Sequence, residues 1–519
     1  MLTIAQVVRE TVRFGDREAL VDGDRRWSFS EVVKAVESAA RSFIALGLQH
    51  GDRLAIWAPN SAEWIFSALG VQIVGGVLVP INTRFKGSEA AYVLNHSGAK
   101  FLLCDNKFLG QNYAQELRDS RIALPSLEHV IDFSGATDAQ CTPWQDFLEH
   151  GHSVPLVAVH ERERKIMPSD LCDIIFTSGT TGKPKGVMSR HDQTIRVFTE
   201  WSSIVGLSES DRYLIVNPFF HTFGYKAGFL ACLLSGATMI PVPMFDVPTV
   251  LKIVSQEKIT ALPGPPTLYL SILNHPERNN FDLSSLRLAV TGSAAVPVEM
   301  IRRMRQELTF TVILTAYGLT ESTGTITMCR PDDDPFTIST TSGRAISDVE
   351  VRVVDQNNLE VARGTAGEII CRGYNVMPGY FENPEATAQA IDEDGFLHTG
   401  DIGIMDSNGY LAITDRIKDM FIVGGFNAYP AEIENALLTH PSIAQVAVVG
   451  QPDHRLGEVG HAFVVLRTEQ TVSEQELIDW SRQCMANYKV PRHITFVDLL
   501  PLNASGKVLK YELRARTLG

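Results

Sequence analysis

Between about Ala19 and about Thr315, two kinds of hydrophobic pattern alternate along the chain. Short runs such as Arg53–Trp57 (RLAIW), Lys100–Cys104 (KFLLC), Asp173–Phe176 (DIIF) and Leu286–Thr291 (LRLAVT) are almost uninterrupted and end in turn residues, the mark of buried strands. Between them lie longer stretches with helical spacing, of which Phe29–Leu46 is the clearest. Strands alternating with helices predict layered α/β units with mostly parallel sheets. Near Pro331 the pattern changes to short strands with tight turns, at Glu350–Asp355, Gly367–Arg372, Phe396–Gly400 and Tyr410–Thr414. These predict a small β-barrel or folded sheet.

After Arg416 the pattern changes again. Pro430 stands where a helix begins, and Ala431–Leu438 keeps apolar residues at helical spacing. Strands at Gln445–Val449 and Ala462–Leu466, a helix at Glu474–Met485 and a strand at Ile494–Val497 complete a separate α+β unit. The fold expected is therefore α/β. It has a large N-terminal domain, 1–416, of layered subdomains plus the small barrel, and a mobile C-terminal α+β domain, 417–519. No long linker separates them, so the junction is a short hinge near Asp415–Asp419.

The 519 residues suggest roughly three compact units at about 100–200 residues each. With 45% hydrophobic and 20% charged residues, the composition is that of a globular protein with several cores. The net charge of -14 is spread along the chain, which argues against a nucleic-acid partner. Seven cysteines lie scattered, without CxxC pairs or zinc-ligand spacing, and read as buried free thiols of a reducing cytoplasm. The first residues show no secretory signal, and no apolar run is long enough for a spanning helix.

The strongest local signal is 177–186, TSGTTGKPKG, directly after the strand CDIIF. Gly179, Gly182 and Gly186 allow close backbone approach to a ligand. Thr177, Ser178, Thr180 and Thr181 offer hydroxyls, and Lys183 and Lys185 offer charge, for phosphate oxygens. A flexible surface loop is the competing reading of such a composition. It is not a Walker A loop, because Pro184 breaks the required spacing.

With that loop, eight further motifs follow in order: FFHTFGY (219–225), GPPTLY (264–269), TGSAAVP (291–297), YGLTES (317–322), HTGD (398–401), DRIKD (415–419), GGFNAYPAEIE (424–434) and PLNASGK (501–507). Together they resemble the acyl-adenylate-forming superfamily of acyl-CoA synthetases, peptide-synthetase adenylation domains and luciferases, over nearly the whole chain. The resemblance implies an acid–CoA ligase using ATP, Mg2+ and CoA. It assigns Glu321 to magnesium, Thr320 to the α-phosphate, and Tyr317 and Gly318 to the adenine side. Gly292, Ser293 and Ala294 would form the adenine turn, Asp401 would bind the ribose, and Arg416 would add a donor there. His221 would gate the carboxylate pocket by bulk, without moving a proton. Phe220, Tyr225, Lys226, Gly264 and Gly318 would line that pocket.

Lys507 is the catalytic lysine of the resemblance. Its ammonium would offset the repulsion as a carboxylate attacks the α-phosphate. Thioester formation needs that loop out of the way, so the C-terminal domain would reorient about Lys418. Gly424, Gly425 and Phe426 would border the CoA tunnel. The wording NPFFHTFGYKAG with CRPDDD is similar to actinobacterial synthetases of lipid and steroid breakdown, one branch of which acts on a bicyclic indanedione propanoate. Medium- or long-chain fatty acids are the alternative, carrier-protein transfer, a luciferase-like oxygenase and a catalytically silent nucleotide sensor the more distant ones. A homodimer and a lysine acetyltransferase acting on Lys507 are the macromolecular partners expected.

Overall fold

The computed structural model describes residues 2–135, 140–177, 184–292, 296–416, 419–423, 426–468, 470–502 and 508–517, with only the backbone at 415, 416, 426 and 427. Its first large sheet has seven strands, in the order Thr142–Pro143, His129–Asp132, Phe101–Cys104, Arg53–Trp57, Val77–Pro80, Leu171–Thr177 and Lys185–Arg190. All neighbours are parallel except the last two, which form a hairpin. Val77–Pro80 and Phe101–Cys104 are buried at every position. A strand covered on both faces has no polar side to show, which is why these segments read as unbroken apolar runs.

A second layer holds two four-stranded groups. Arg212–Ile215, Thr238–Pro241, Glu18–Asp22 and Arg25–Ser28 form one. Leu288–Gly292, Val312–Tyr317, Thr327–Met328 and Arg344–Ala345 form the other. Ala261 bridges them, pairing in parallel with Tyr213 and Leu288. Helices fill the space between sheets. Phe29–Ala45 starts where Ser28 caps it and Glu31 closes a capping box, and its Val32, Val36, Ala39, Ala40 and Phe43 are buried.

The expected barrel is a four-stranded antiparallel sheet of Val349–Val354, Ala366–Gly373, Leu397–Met405 and Leu411–Arg416. The C-terminal unit has its own sheet, Phe426–Ala428, Phe421–Val423, Gly457–Leu466 and Ile443–Asp453, with His493–Phe496 parallel to Gly457–Leu466. Helix Pro430–Leu437, with proline in its first turn, packs against this sheet and against Leu411–Arg416. Six cysteines are buried free thiols as expected, whereas Cys484, at the end of an amphipathic helix, is exposed. Among the described residues no helix is long and apolar enough to cross a membrane.

Candidate functional site

The hairpin Leu171–Thr177 and Lys185–Arg190 presents the ends of the phosphate-loop motif side by side, with Thr177 directly opposite Lys185. Ser178, Gly179, Thr180, Thr181, Gly182 and Lys183 lie outside the described residues. The outgoing strand is tied laterally. Phe381 donates its N–H to the Gly186 carbonyl at 2.7 Å, and Met188 donates to Gly379 at 3.2 Å. The Lys185 ammonium lies 4.9 Å from the centre of the Tyr380 ring.

Tyr380 in turn reaches Glu321, donating its hydroxyl to Oε1 at 3.0 Å. Burial, and then the Glu321 charge, push the Tyr380 phenol above its usual range, so it remains a donor. Glu321 sits in the short turn Thr320–Ser322, and its carbonyl accepts from Met377 N–H at 2.8 Å. Asn375 fastens the far side, donating to the Thr325 carbonyl and accepting at its own carbonyl from the Thr323 hydroxyl. Gly318 is required here, since a Cβ would stand 2.3 Å from the Gly324 carbonyl oxygen. The segment from Asn375 to Phe381 thus joins the phosphate hairpin to Glu321. Pattern reading missed it, and its only signal was the dipeptide Gly379-Tyr380.

On the other side, Tyr317 donates its hydroxyl to Asp401 Oδ2 at 2.7 Å. Desolvation and the Asp401 charge push the Tyr317 phenol well up. Asp401 is buried at 4% exposure and faces Arg416 across the strand pair, while the side chain of Arg416 lies outside the described residues. Glu368 holds the HTGD turn. One of its oxygens accepts from Gly400 N–H at 3.1 Å, and the other lies 2.9 Å from His398 Nδ1. Glu368 and His398 are further support residues that sequence reading did not single out.

Gly292 ends the strand Leu288–Gly292, beside Ala316, so the adenine-turn segment starts next to Tyr317. Ser293 and Ala294 are outside the described residues. His221 caps the turn Thr222–Gly224, its Nδ1 accepting from Phe223 N–H at 3.2 Å, and it is half-buried beside Phe220. A Cβ at Gly324 would lie 3.4 Å from Thr222 Cβ, so this turn packs on the loop that follows Glu321. Gly264 is buried, its N–H on the Val290 carbonyl at 3.0 Å. Tyr225 and Lys226 correct the expectation. Tyr225 Oη accepts from Gln72 at 2.6 Å, and Lys226 Nζ pairs with Asp173 at 3.0 Å, both wholly buried. Their polar ends are spent inside the core rather than offered to a ligand. The hinge and tunnel residues Lys418, Gly424, Gly425 and the Phe426 side chain, with Lys507, lie outside the described residues.

Among the described residues no three His, Cys, Asp or Glu groups form a cage for a metal. Mg2+ does not need one, because it binds through one or two carboxylates and completes its shell with phosphate oxygens and water. Glu321, half-buried and held by Tyr380 through only one oxygen, fits that role.

The AMP-binding enzyme family matches residues 8–381, and the AMP-binding enzyme C-terminal domain matches 432–507. A 3-[(3aS,4S,7aS)-7a-methyl-1,5-dioxo-octahydro-1H-inden-4-yl]propanoyl:CoA ligase of Rhodococcus jostii is 47% identical, with 99% of this chain and 98% of the relative covered. The ligase of the same name from Mycobacterium tuberculosis is 48% identical over 96% of each chain. The solved anthranilate CoA ligase AuaEII in complex with anthranoyl-AMP matches with a TM-score of 0.88 at 28% identity, covering 99% of this chain and 97% of its own. The chain belongs to the AMP-binding enzyme family, as an ATP-dependent acyl-CoA ligase that works through an acyl-adenylate and uses ATP, Mg2+ and CoA.

Proposed function

We propose that the acid is a bicyclic, steroid-derived indanedione propanoate. The observation that carries this reading is the 47% and 48% identity, over almost the full chain, to two ligases named for that acid. In the first half-reaction the phosphates of ATP lie along 177–186, the adenine against Gly292, Ser293, Ala294 and Tyr317, and the ribose on Asp401 with Arg416 beside it. Glu321 holds Mg2+, which when bound neutralises phosphate charge, and Thr320 contacts the α-phosphate. The acid enters past Phe220, His221 and Gly264, a wall of bulk and backbone suited to a fused ring. Its carboxylate oxygen attacks the α-phosphorus, and the bond to pyrophosphate breaks. The Lys507 ammonium offsets the charge that gathers between the two anions.

In the second half-reaction the C-terminal domain, 417–519, turns about Lys418 and withdraws Lys507. The thiol of free CoA passes Gly424, Gly425 and Phe426, attacks the acyl carbonyl, and AMP leaves. A homodimer in the cytoplasm is the setting proposed. Acetylation of Lys507 would silence the first half-reaction by removing its charge, and equal adenylation rates before and after acetylation would refute that control. The substrate reading is tested by thioester formation with ATP, Mg2+ and CoA over a panel of acids. Turnover of the indanedione propanoate well above straight-chain acids is expected. Robust turnover of simple fatty acids with none of the ring acid would overturn it.

A further inference from the structure

Lys226 is wholly buried, yet its ammonium meets a carboxylate and a hydroxyl: Asp173 Oδ2 at 3.0 Å and Ser189 Oγ at 2.8 Å. Asp173 lies on the strand that enters the phosphate loop and Ser189 on the strand that leaves it, and the two are direct partners across the hairpin. One side chain therefore grips both legs of the phosphate hairpin below the loop. Lys226 itself belongs to the π-helix Tyr225–Leu230, which begins one residue after the short turn that His221 caps. The wide turn is irregular at Gly228, φ -90° and ψ -105°, where a Cβ would come within 2.9 Å of Ile215 Cγ2. The helix is thereby pressed onto the strand Arg212–Ile215 with its second residue directed at the hairpin.

The surroundings are polar. Gln72 donates to Tyr225 Oη at 2.6 Å and Cys172 Sγ lies 3.2 Å from Asp173 Oδ2, while Asp173 Oδ1 and Gln72 Oε1 are buried without a partner among the described residues. Buried charge is a poor source of stability, because well-packed apolar side chains of similar volume hold such a place as well or better. What the pair adds is a single permitted geometry. Apolar surfaces tolerate sliding, whereas an ammonium between two fixed oxygens does not.

We propose that Lys226 is a positioning residue that, through Asp173 and Ser189, fixes the segment following His221 against the phosphate hairpin, and so sets the acid carboxylate in line with the α-phosphate. This rests on the proposed placement of acid and ATP. Misalignment of reacting atoms by about an ångström lowers turnover steeply while leaving binding nearly intact. The effect therefore falls on kcat of adenylation rather than on ATP affinity.

The test compares Lys226→Met, Asp173→Leu and the double variant, by thermal unfolding, ATP binding and acid-dependent ATP–pyrophosphate exchange. Each single variant leaves a charge or an apolar group facing the wrong partner and should unfold at lower temperature. The double variant should regain the parental midpoint and bind ATP within about threefold, yet exchange at least about tenfold slower. A double variant with parental stability and parental kcat would overturn the proposal, leaving the pair as packing. Should the double variant not fold, Ser189→Ala removes one contact only. A kcat reduced about threefold at an unchanged midpoint supports the clamp, and an unchanged kcat overturns it. Absence of exchange in the parental enzyme would instead refute the ligase reading beneath the proposal.

Discussion

The body of the molecule and its C-terminal unit solve different problems with the same kinds of element. In the body, central strands are buried on both faces, and the largest core runs from Ile4 to Leu397 beside a second that holds Trp57, Leu102 and Tyr113. The C-terminal sheet has two smaller cores. One contains Phe421, Ile433, Leu437, Leu477 and Ile494, and the other Ala447, Val449, Phe463, Leu500 and Leu513. Apolar side chains stand in water in both, Leu109, Phe336 and Leu359 in the body and Leu499, Tyr511 and Ile422 in the C-terminal unit. Charged ties hold its final helix, Lys510 to Glu434 at 2.8 Å and Arg514 to Asp419 at 2.5 Å. A small unit buries a smaller share of its surface and is correspondingly less firmly built. The body holds Glu321 and Asp401 in fixed hydrogen-bonded frames, while the unit whose motif includes Lys507 is the lighter part. The groups proposed to bind nucleotide and metal thus sit in hydrogen-bonded frames, whereas Lys507, proposed to serve one half-reaction only, belongs to the lighter unit.

The largest effect expected is that of Lys507→Ala. Pyrophosphate release should fall about a hundredfold or more, while thioester formation from supplied acyl-adenylate should stay within about twofold. Equal losses in both steps would remove the division of labour. The next effect concerns the body alone. His191 is 1% exposed, its Nδ1 accepts from Ile4 N–H at 3.1 Å, and burial lowers its pKa to about 4 from 6.5. As pH falls through 6.5 the unfolded chain takes up a proton that the folded one refuses until about 4. Folding stability should therefore drop by roughly 2–3 kcal/mol between neutral pH and pH 4, through this group. In His191→Asn the unfolding free energy should lose less across that window, and an unchanged pH slope would contradict the assignment.

Asp401→Asn removes the charge that Tyr317 and the proposed ribose share. The KM for ATP should rise about tenfold with little change in the KM for the acid. A rise confined to the acid would move Asp401 out of the nucleotide site. The smallest effect expected is that of Tyr380→Phe, which keeps the ring beneath Lys185 and removes only the hydroxyl on Glu321. Calorimetry should find Mg–ATP bound about three- to fivefold more weakly, and the Mg2+ concentration for half-maximal pyrophosphate release should increase similarly. Unchanged affinity would leave Tyr380 a packing residue.

Much of the fold was legible because local rules and burial agreed. Arg53–Trp57 is a strand as expected, Phe29 begins a helix because Ser28 and Glu31 cap it, and Pro430 opens the helix of the C-terminal unit. The hairpin Phe421–Val423 with Phe426–Ala428, the helix Lys510–Thr517 and the link from Asn375 to Phe381 were not foreseen. They are short or irregular, and their bonds run to partners far away in the chain, where no periodicity shows. The nucleotide-side motifs were readable as motifs, but nothing in their spacing told that Tyr380 would hold Glu321 or that Glu368 would brace the turn before Asp401.

The alternation of strand and helix, the new architecture after Arg416 and the order of the chemical motifs were readable from the chain alone, since period, caps and residue type are local properties. The change expected near Pro331 comes only at Val349, because Arg344–Ala345 still pairs with Thr327–Met328 in the second layer. Which way polar side chains face was set by packing between distant segments. Lys226 and Tyr225 stand in a motif that suggests a pocket wall, yet the crossing of the π-helix over the hairpin turns them inward to Asp173 and Gln72. A charge in the core is stable only where a partner from elsewhere in the chain meets it, and that meeting is fixed by packing rather than by neighbouring residues.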